Sequence, residues 1–171
     1  MHTVNKLIPG SRGLAAVLLK RAASVELRWD VRSKSRFDAV DSQGRVLGVF
    51  LPPGTVLRGG DALVAEDGSL IKVLAAAQPV LRVRHCAQHG GPVDLLRAAY
   101  HLGQRHAQIE LQANCLLLQP DAGLAEWLRG MHLIVDEQES VFEPEAPTDA
   151  AGPAHAHGPG CGHDHGESHR H

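Results

Sequence analysis

PVDLLRAAYHLGQRHAQIELQANCLLLQPDAGLAEWLRGMHLIV, residues 92–135, is the stretch whose pattern decides the fold. Its first part predicts a helix over Pro92–Gly103, with proline near the start and glycine closing it as a left-handed cap residue. Gln108–Gln112 alternates Ile109 and Leu111 as a half-buried strand does, and Cys115–Leu118 is an apolar strand. A second helix begins at Asp121, whose carboxylate suits an N-cap, and runs to about Met131. Leu124, Trp127, Leu128 and Met131 fall at i, i+3, i+4 and i+7 and give that helix one apolar face. Short strands at Val80–Val83 and Leu133–Val135 flank the stretch. The order is β-α-β-β-α-β, the ferredoxin-like plan, assigned to a module over 78–142.

Working outward, residues 1–77 read as an all-β, antiparallel module. The expected strands are Ala15–Lys20, Val25–Asp30, Arg36–Asp41, Arg45–Phe50, Ala62–Glu66 and Leu70–Ala75. Ser42-Gln43-Gly44 and Asp67-Gly68 supply hairpin turns, and Pro52-Pro53-Gly54 and Gly59-Gly60 end other segments. Val25, Leu27 and Trp29 are expected on one side of a strand. Beyond the second module, 143–154 form a Pro/Ala linker with acidic residues, and 155–171 form a polar tail. The fold class is α+β: an all-β module, a ferredoxin-like module and a disordered His-rich tail over 143–171.

The 171 residues carry a formal charge of −2 with neutral histidine, so no basic footprint points to nucleic acid. Aromatic content is 4%, with no aromatic–basic interleaving for base stacking. The apolar run Leu14–Leu19 is too short for a signal sequence or a membrane span. A cytoplasmic protein without membrane attachment is expected. Cys86, Cys115 and Cys161 are far apart and read as free thiols in a reducing compartment.

The chemistry-bearing feature is the end of the chain, HAHGPGCGHDHGESHRH. Six of the protein's twelve histidines lie there, His155, His157, His163, His165, His169 and His171, together with Cys161. Neutral imidazole is the commonest protein ligand for divalent nickel, zinc and copper, and a thiolate assists it. Interruption by Gly, Pro, Asp and Glu distinguishes the tract from a uniform affinity tag.

The first helix of the second module adds another imidazole. At about 100° per residue, Leu95, Ala98, Ala99 and Leu102 form the stripe that faces the sheet. His101 is expected on the opposite side, about 40° from Arg97, pointing to solvent or to another chain. One exposed imidazole binds metal weakly. A twofold axis bringing two His101 side chains together would make an open site, which tail ligands could complete at high effective concentration. His106, past the expected cap, reads as a loop support or an accessory ligand. His85-Cys86-x-x-His89 gathers three ligand types in one loop, with no fourth nearby. Cys115 reads as a buried small hydrophobe and His132 as a helix-end residue. No nucleophile elbow, phosphate loop or zinc-protease motif is present, and the chain reads as a non-enzyme.

RAAYHLGQRH, residues 97–106, resembles the R-A-x-Y-H-L-G-N-R-H signature of the UreE family of urease accessory nickel chaperones. FEPEA, residues 142–146, resembles that family's F-x-P-E-x-G/A segment before its His-rich tail. The sequence departs at Gln104, where asparagine is usual, and has no histidine in 114–123, where some members carry a pair. The resemblance implies a homodimer joined through its C-terminal modules, with nickel at the interface on His101. It also implies an N-terminal module that binds partner polypeptide, the accessory GTPase as immediate partner and the apo-urease maturation complex as recipient. Nickel as cargo comes from the resemblance alone, because Zn²⁺ and Cu²⁺ suit the same residues. Protons compete for imidazole, so binding should weaken as pH falls through about 6.5. The alternatives are a metal buffer or storage protein with no delivery role, and a metal-dependent hydrolase, for which no general base is located.

Overall fold

Two separate sheets organise residues 2–146, the part of the chain that the structure, a computed structural model, describes. The first domain contains β1 (His2–Ile8), a 3₁₀ turn at Pro9–Ser11, α1 (Ala16–Arg21), β2 (Ala23–Leu27), α2 (Trp29–Arg32), β3 (Arg36–Val40), β4 (Val46–Phe50), β5 (Ala62–Ala65) and β6 (Leu70–Ala75). Its six strands run in the order β2-β6-β5-β1-β4-β3. The β3–β4 turn forms as the sequence dictates. The Asp41 carboxylate accepts hydrogen bonds from the backbone N–H groups of Gln43 and Arg45 and from Arg45 Nε, while Gly44 takes φ +76°. Burial pushes that carboxyl up, but the bonds from Arg45 and Gln43 outweigh it and hold Asp41 below the ordinary value of 3.8.

Three expectations fail here. The first domain is not all-β: the segment read as a strand at Ala15–Lys20 is helix α1. Its Ala, Leu and Lys residues favour helix, and alternation over six residues could not separate the two periods. The predicted strand Val25–Asp30 stops at Leu27, and Trp29 begins α2, where its N–H donates to Gln78 Oε1. Trp29 therefore leaves the face shared by Val25 and Leu27 and packs with Val80, Cys115, Leu117 and Phe142. The sheet is mixed rather than antiparallel, because β1 pairs parallel with β4 and β2 parallel with β6. Strand β1 has no counterpart among the expected strands; Asn5 and Lys6 break its alternation, and its register with β5 shifts between Val4 and Lys6.

The second domain contains β7 (Ala77–His85), α3 (Pro92–Gln104), β8 (Ile109–Gln112), β9 (Cys115–Leu118), α4 (Ala122–Gly130) and β10 (Leu133–Val141). Its strands lie in the order β10-β7-β9-β8, every neighbouring pair antiparallel. The β7–β10 ladder runs from Leu133 opposite His85 to Val141 opposite Ala77; β7 passes the expected Val80–Val83 at both ends, and β10 starts at Leu133 as expected but continues past Val135 to Val141. Asp94 accepts from Gly91 N at the start of α3, and the Asp121 side chain accepts from Leu124 N at the start of α4. Leu95, Ala98 and Leu102 of α3 and Ala125 and Leu128 of α4 pack on one face of the sheet, over Leu81, Val83, Leu116, Leu118, Leu133 and Val135. Each large side chain so buried contributes about 1.5–3 kcal/mol.

The other face of this sheet meets the first domain. Arg32, fully buried, donates from Nε to Leu27 O (3.0 Å), from Nη1 to Leu57 O (3.3 Å) and Glu143 Oε1 (2.8 Å), and from Nη2 to Phe142 O (2.7 Å). Glu143 also accepts from Gly59 N and Arg58 Nη1. Trp29 Nε1 donates to Gln108 Oε1 across the same boundary at 2.7 Å. Every nitrogen of this buried guanidinium therefore finds an oxygen, which is the condition for burying a charge without a large loss.

Candidate metal centre

The C-terminal end of α3 carries two imidazoles in unlike settings. His101 is half-buried. Its ring stands edge-on to Tyr100 at 5.4 Å and to Trp127 of α4 at 6.2 Å. It therefore sits on the flank of the helix that α4 shelters, not on the side opposite the apolar stripe. Helical rotation places it about 110° from the middle of that stripe, and the helix wheel alone does not show that α4 reaches so far round. Arg105 lies over the other ring partner, its Cζ 4.3 Å from the Trp127 centroid.

Gly103 does not close the helix. The helix continues through Gly103 to Gln104, and the left-handed residue is His106, with φ +55°. Ala107 N returns to Leu102 O at 3.0 Å and His106 N to Gly103 O at 3.0 Å, which satisfies the last carbonyls. A non-glycine residue in this region costs about 1–2 kcal/mol, so the turn is held by its surroundings, including the Arg105–Trp127 contact. The His106 side chain is exposed. It lines a cleft of about 390 Å³ with Trp29, Arg58, Glu145 and Ala146, and a neighbouring one of about 330 Å³ with Leu118 and Asp121. The sequence offered one signal for this placement, since histidine is among the few non-glycine residues enriched in the left-handed region.

Ala146 is the last described residue, and it reaches this cleft because Glu145 N donates to Ile109 O on β8 at 2.8 Å. The root of the C-terminal segment is thus fixed beside His106. The sequence-predicted ligands His155, His157, His163, His165, His169, His171 and Cys161 lie outside the described residues. On the outward face of α3, Val93, Leu96 and Tyr100 are 63%, 69% and 64% exposed, an apolar stripe at i, i+3 and i+7.

The loop from β7 to α3 holds the other ligand types. Cys86 Sγ and His89 Nδ1 are 3.5 Å apart. The hydrogen bond between Cys86 and the His89 side chain, with help from the backbone N–H groups of Gln88 and His89, holds the Cys86 thiol below its ordinary range. His85 Nδ1 is buried without a hydrogen-bond partner among the described residues. Cys115 is buried and donates to Gln112 Oε1. His132 follows α4 with φ +61°. Among the described residues, no three His, Cys, Asp or Glu side chains converge to hold one metal ion. Among the same residues, no helix is long and apolar enough to cross a membrane.

Two family models match the chain. One, described as the UreE urease accessory protein N-terminal domain, covers residues 4–76; the other, its C-terminal domain, covers residues 78–171. Among curated proteins, the chain is 66% identical over 151 residues to a urease accessory protein UreE of Paracidovorax citrulli, covering 88% of this chain and 72% of that protein. It is 66% identical over 146 residues to the protein of that name from Methylibium petroleiphilum, covering 85% and 67%. For the one from Verminephrobacter eiseniae the identity is 59% over 151 residues, covering 88% and 90%.

Proposed function

This chain belongs to the UreE urease accessory family, whose members assist urease maturation and are not enzymes, and on that premise we propose that it is a dimeric, cytoplasmic nickel chaperone. It collects Ni²⁺ through the tail ligands His155, His157, His163, His165, His169, His171 and Cys161 and through imidazoles at the end of α3. His101 is the interfacial ligand that the family signature implies, and His106, exposed on a strained turn five residues later, serves as an accessory ligand. Zn²⁺ and Cu²⁺ compete for the same donors. The accessory GTPase receives the ion, and apo-urease is the final recipient. The finer fold assignment belongs to the same proposal: a module over 1–77 that meets partners, and a ferredoxin-like metal-binding and dimerisation module over 78–142. The strand order β10-β7-β9-β8 supports the latter.

The observation that carries this reading is the position of Ala146. From the cleft that His106 lines, nine residues lead to His155. Fully extended, they span at most about 30 Å, so the first tail histidines reach the end of α3 at high effective concentration. Two imidazoles on a surface leave coordination positions open, which permits release as well as capture. The apolar stripe of Val93, Leu96 and Tyr100 on the same helix is the surface through which a second copy would bring its own imidazoles alongside.

The test is Ni²⁺ titration of the wild type, His101→Ala and His106→Ala, each with and without residues 155–171, while the oligomeric mass is followed. The chaperone reading expects a tight phase of about one ion per dimer that survives loss of the tail and weakens with one of the two imidazoles. Binding that disappears entirely with the tail leaves the buffer or storage reading instead. A chain that stays monomeric when saturated with nickel removes the shared site.

A further inference from the structure

The loop at the start of α3 carries a pair of ligand side chains that the nickel-carrier reading does not use. Cys86 and His89 are three residues apart, and a turn closed by Gly90 N donating to Cys86 O (2.9 Å) folds them onto one another. The turn is tightly built. A Cβ at Gly90 would meet Asp94 Oδ2 at 2.6 Å, and the same oxygen accepts from Gly91 N at 2.9 Å. A side chain at Gly90 would displace the Asp94 carboxylate from its capping bond to Gly91 N, so the end of the loop is packed against the start of α3.

The separation of the two donor atoms is informative. A tetrahedral cation at about 2.3 Å from sulfur and about 2.05 Å from an imidazole nitrogen holds those atoms about 3.6 Å apart. Cys86 Sγ and His89 Nδ1 stand at 3.5 Å, so their spacing already matches that of two ligands of one ion, and rotation of the exposed His89 ring aims its nitrogen at the ion. We propose that Cys86 and His89 form a second, two-ligand site for a borderline-soft divalent cation, Zn²⁺ or Ni²⁺. The site is independent of the end of α3: that helix has thirteen residues and so separates the two places by about 20 Å. The inference rests on this loop and not on the reading of His101 and His106. Two protein ligands leave the remaining positions to water or to an incoming ligand, so the site exchanges its ion readily and suits transfer rather than storage.

The thiolate gives the site a signature that an all-imidazole site lacks. Co²⁺ and, separately, Ni²⁺ are titrated into the full chain while the near-ultraviolet thiolate-to-metal charge-transfer band is recorded. Cys161 lies outside the described residues and Cys115 is buried, so the comparison is made in a Cys161→Ala background. The expected result is a band that persists in Cys161→Ala, is abolished when Cys86→Ser is added, and needs about tenfold more metal when His89→Ala is added instead. Absence of the band in Cys161→Ala overturns the proposal, and so does a band that survives Cys86→Ser. An unchanged affinity in His89→Ala overturns the pairing of the two ligands. Because Cys86→Ser is nearly isosteric and Cys86 is not in the core, loss of the band with an unchanged circular dichroism spectrum reads as loss of the ligand.

Discussion

Each tryptophan of this protein lies beneath a guanidinium with another ring edge-on to it, and the two settings differ in how far that guanidinium is buried and paired. Trp29 stands under Arg32 at 5.3 Å and Arg58 at 5.0 Å, with Phe142 edge-on at 6.1 Å. Arg32 is wholly buried there and spends its donors on Leu27, Leu57, Phe142 and Glu143. Trp127 stands under Arg105 at 4.3 Å with His101 at 6.2 Å, but Arg105 is exposed and makes no side-chain hydrogen bond among the described residues. The same pair of residue types thus builds a closed knot in one place and a platform in the other. What separates them is whether the polar atoms around the ring are all paired. A fully paired cluster locks elements together, whereas donors left facing solvent remain free for a ligand.

The largest effect should come from breaking the knot. Arg32→Ala takes one of three donors from the Glu143 carboxylate and leaves the carbonyls of Leu27, Leu57 and Phe142 without their guanidinium partner, and should cost about 3–5 kcal/mol, read as a lower denaturant midpoint. Glu143→Gln keeps the shape but removes the charge that Arg32 and Arg58 share, and should cost about 1.5–3 kcal/mol in the same measurement. On the open platform the balance reverses. His106→Ala should weaken Ni²⁺ binding about tenfold, or ~1.4 kcal/mol, with no loss of thermal stability. His106→Gly should stabilise the fold by up to about 1 kcal/mol, because glycine accepts the left-handed backbone without strain. The smallest effect is expected of Arg105→Ala, about 0.5–1 kcal/mol of stability from its exposed contact with Trp127. A large stability loss in either His106 variant, or none in Arg32→Ala, would erase the distinction between knot and platform.

The helices of the second domain were legible in the sequence because each carries an apolar stripe and a start signal, Pro92 for α3 and the Asp121 carboxylate for α4. The spacing of Leu124, Leu128 and Asp121 is enough for α4, and that of Leu95, Ala98 and Leu102 for α3. The length of β10 was not legible. Beyond Val135 the strand reads Asp136, Glu137, Gln138, Glu139 and Ser140, and an edge strand with polar side chains looks like a loop. Parallel pairing of β1 with β4 and of β2 with β6 joins segments far apart in the chain, and local alternation holds no information about it. The histidines of the candidate centre could be picked out by type and by likeness to a family. Their setting could not, because it depends on Trp127 reaching from another helix and on a turn that passes over Gly103 to take His106. Likewise Arg32 gave no sign of its role, since its partners Leu57, Phe142 and Glu143 are distant in sequence.

Residues 142–146 act as a strap across both domains. Phe142 O and Glu143 hold Arg32, Pro144 O accepts from Arg58, and Glu145 is hydrogen-bonded to the backbone of Ile109 and Leu111 on β8. Anyone shortening or relabelling this polypeptide therefore has a sharp limit on where to cut. Removing everything after Ala146 leaves the strap whole, while a stop codon five positions earlier would unbuckle one half of the molecule from the other.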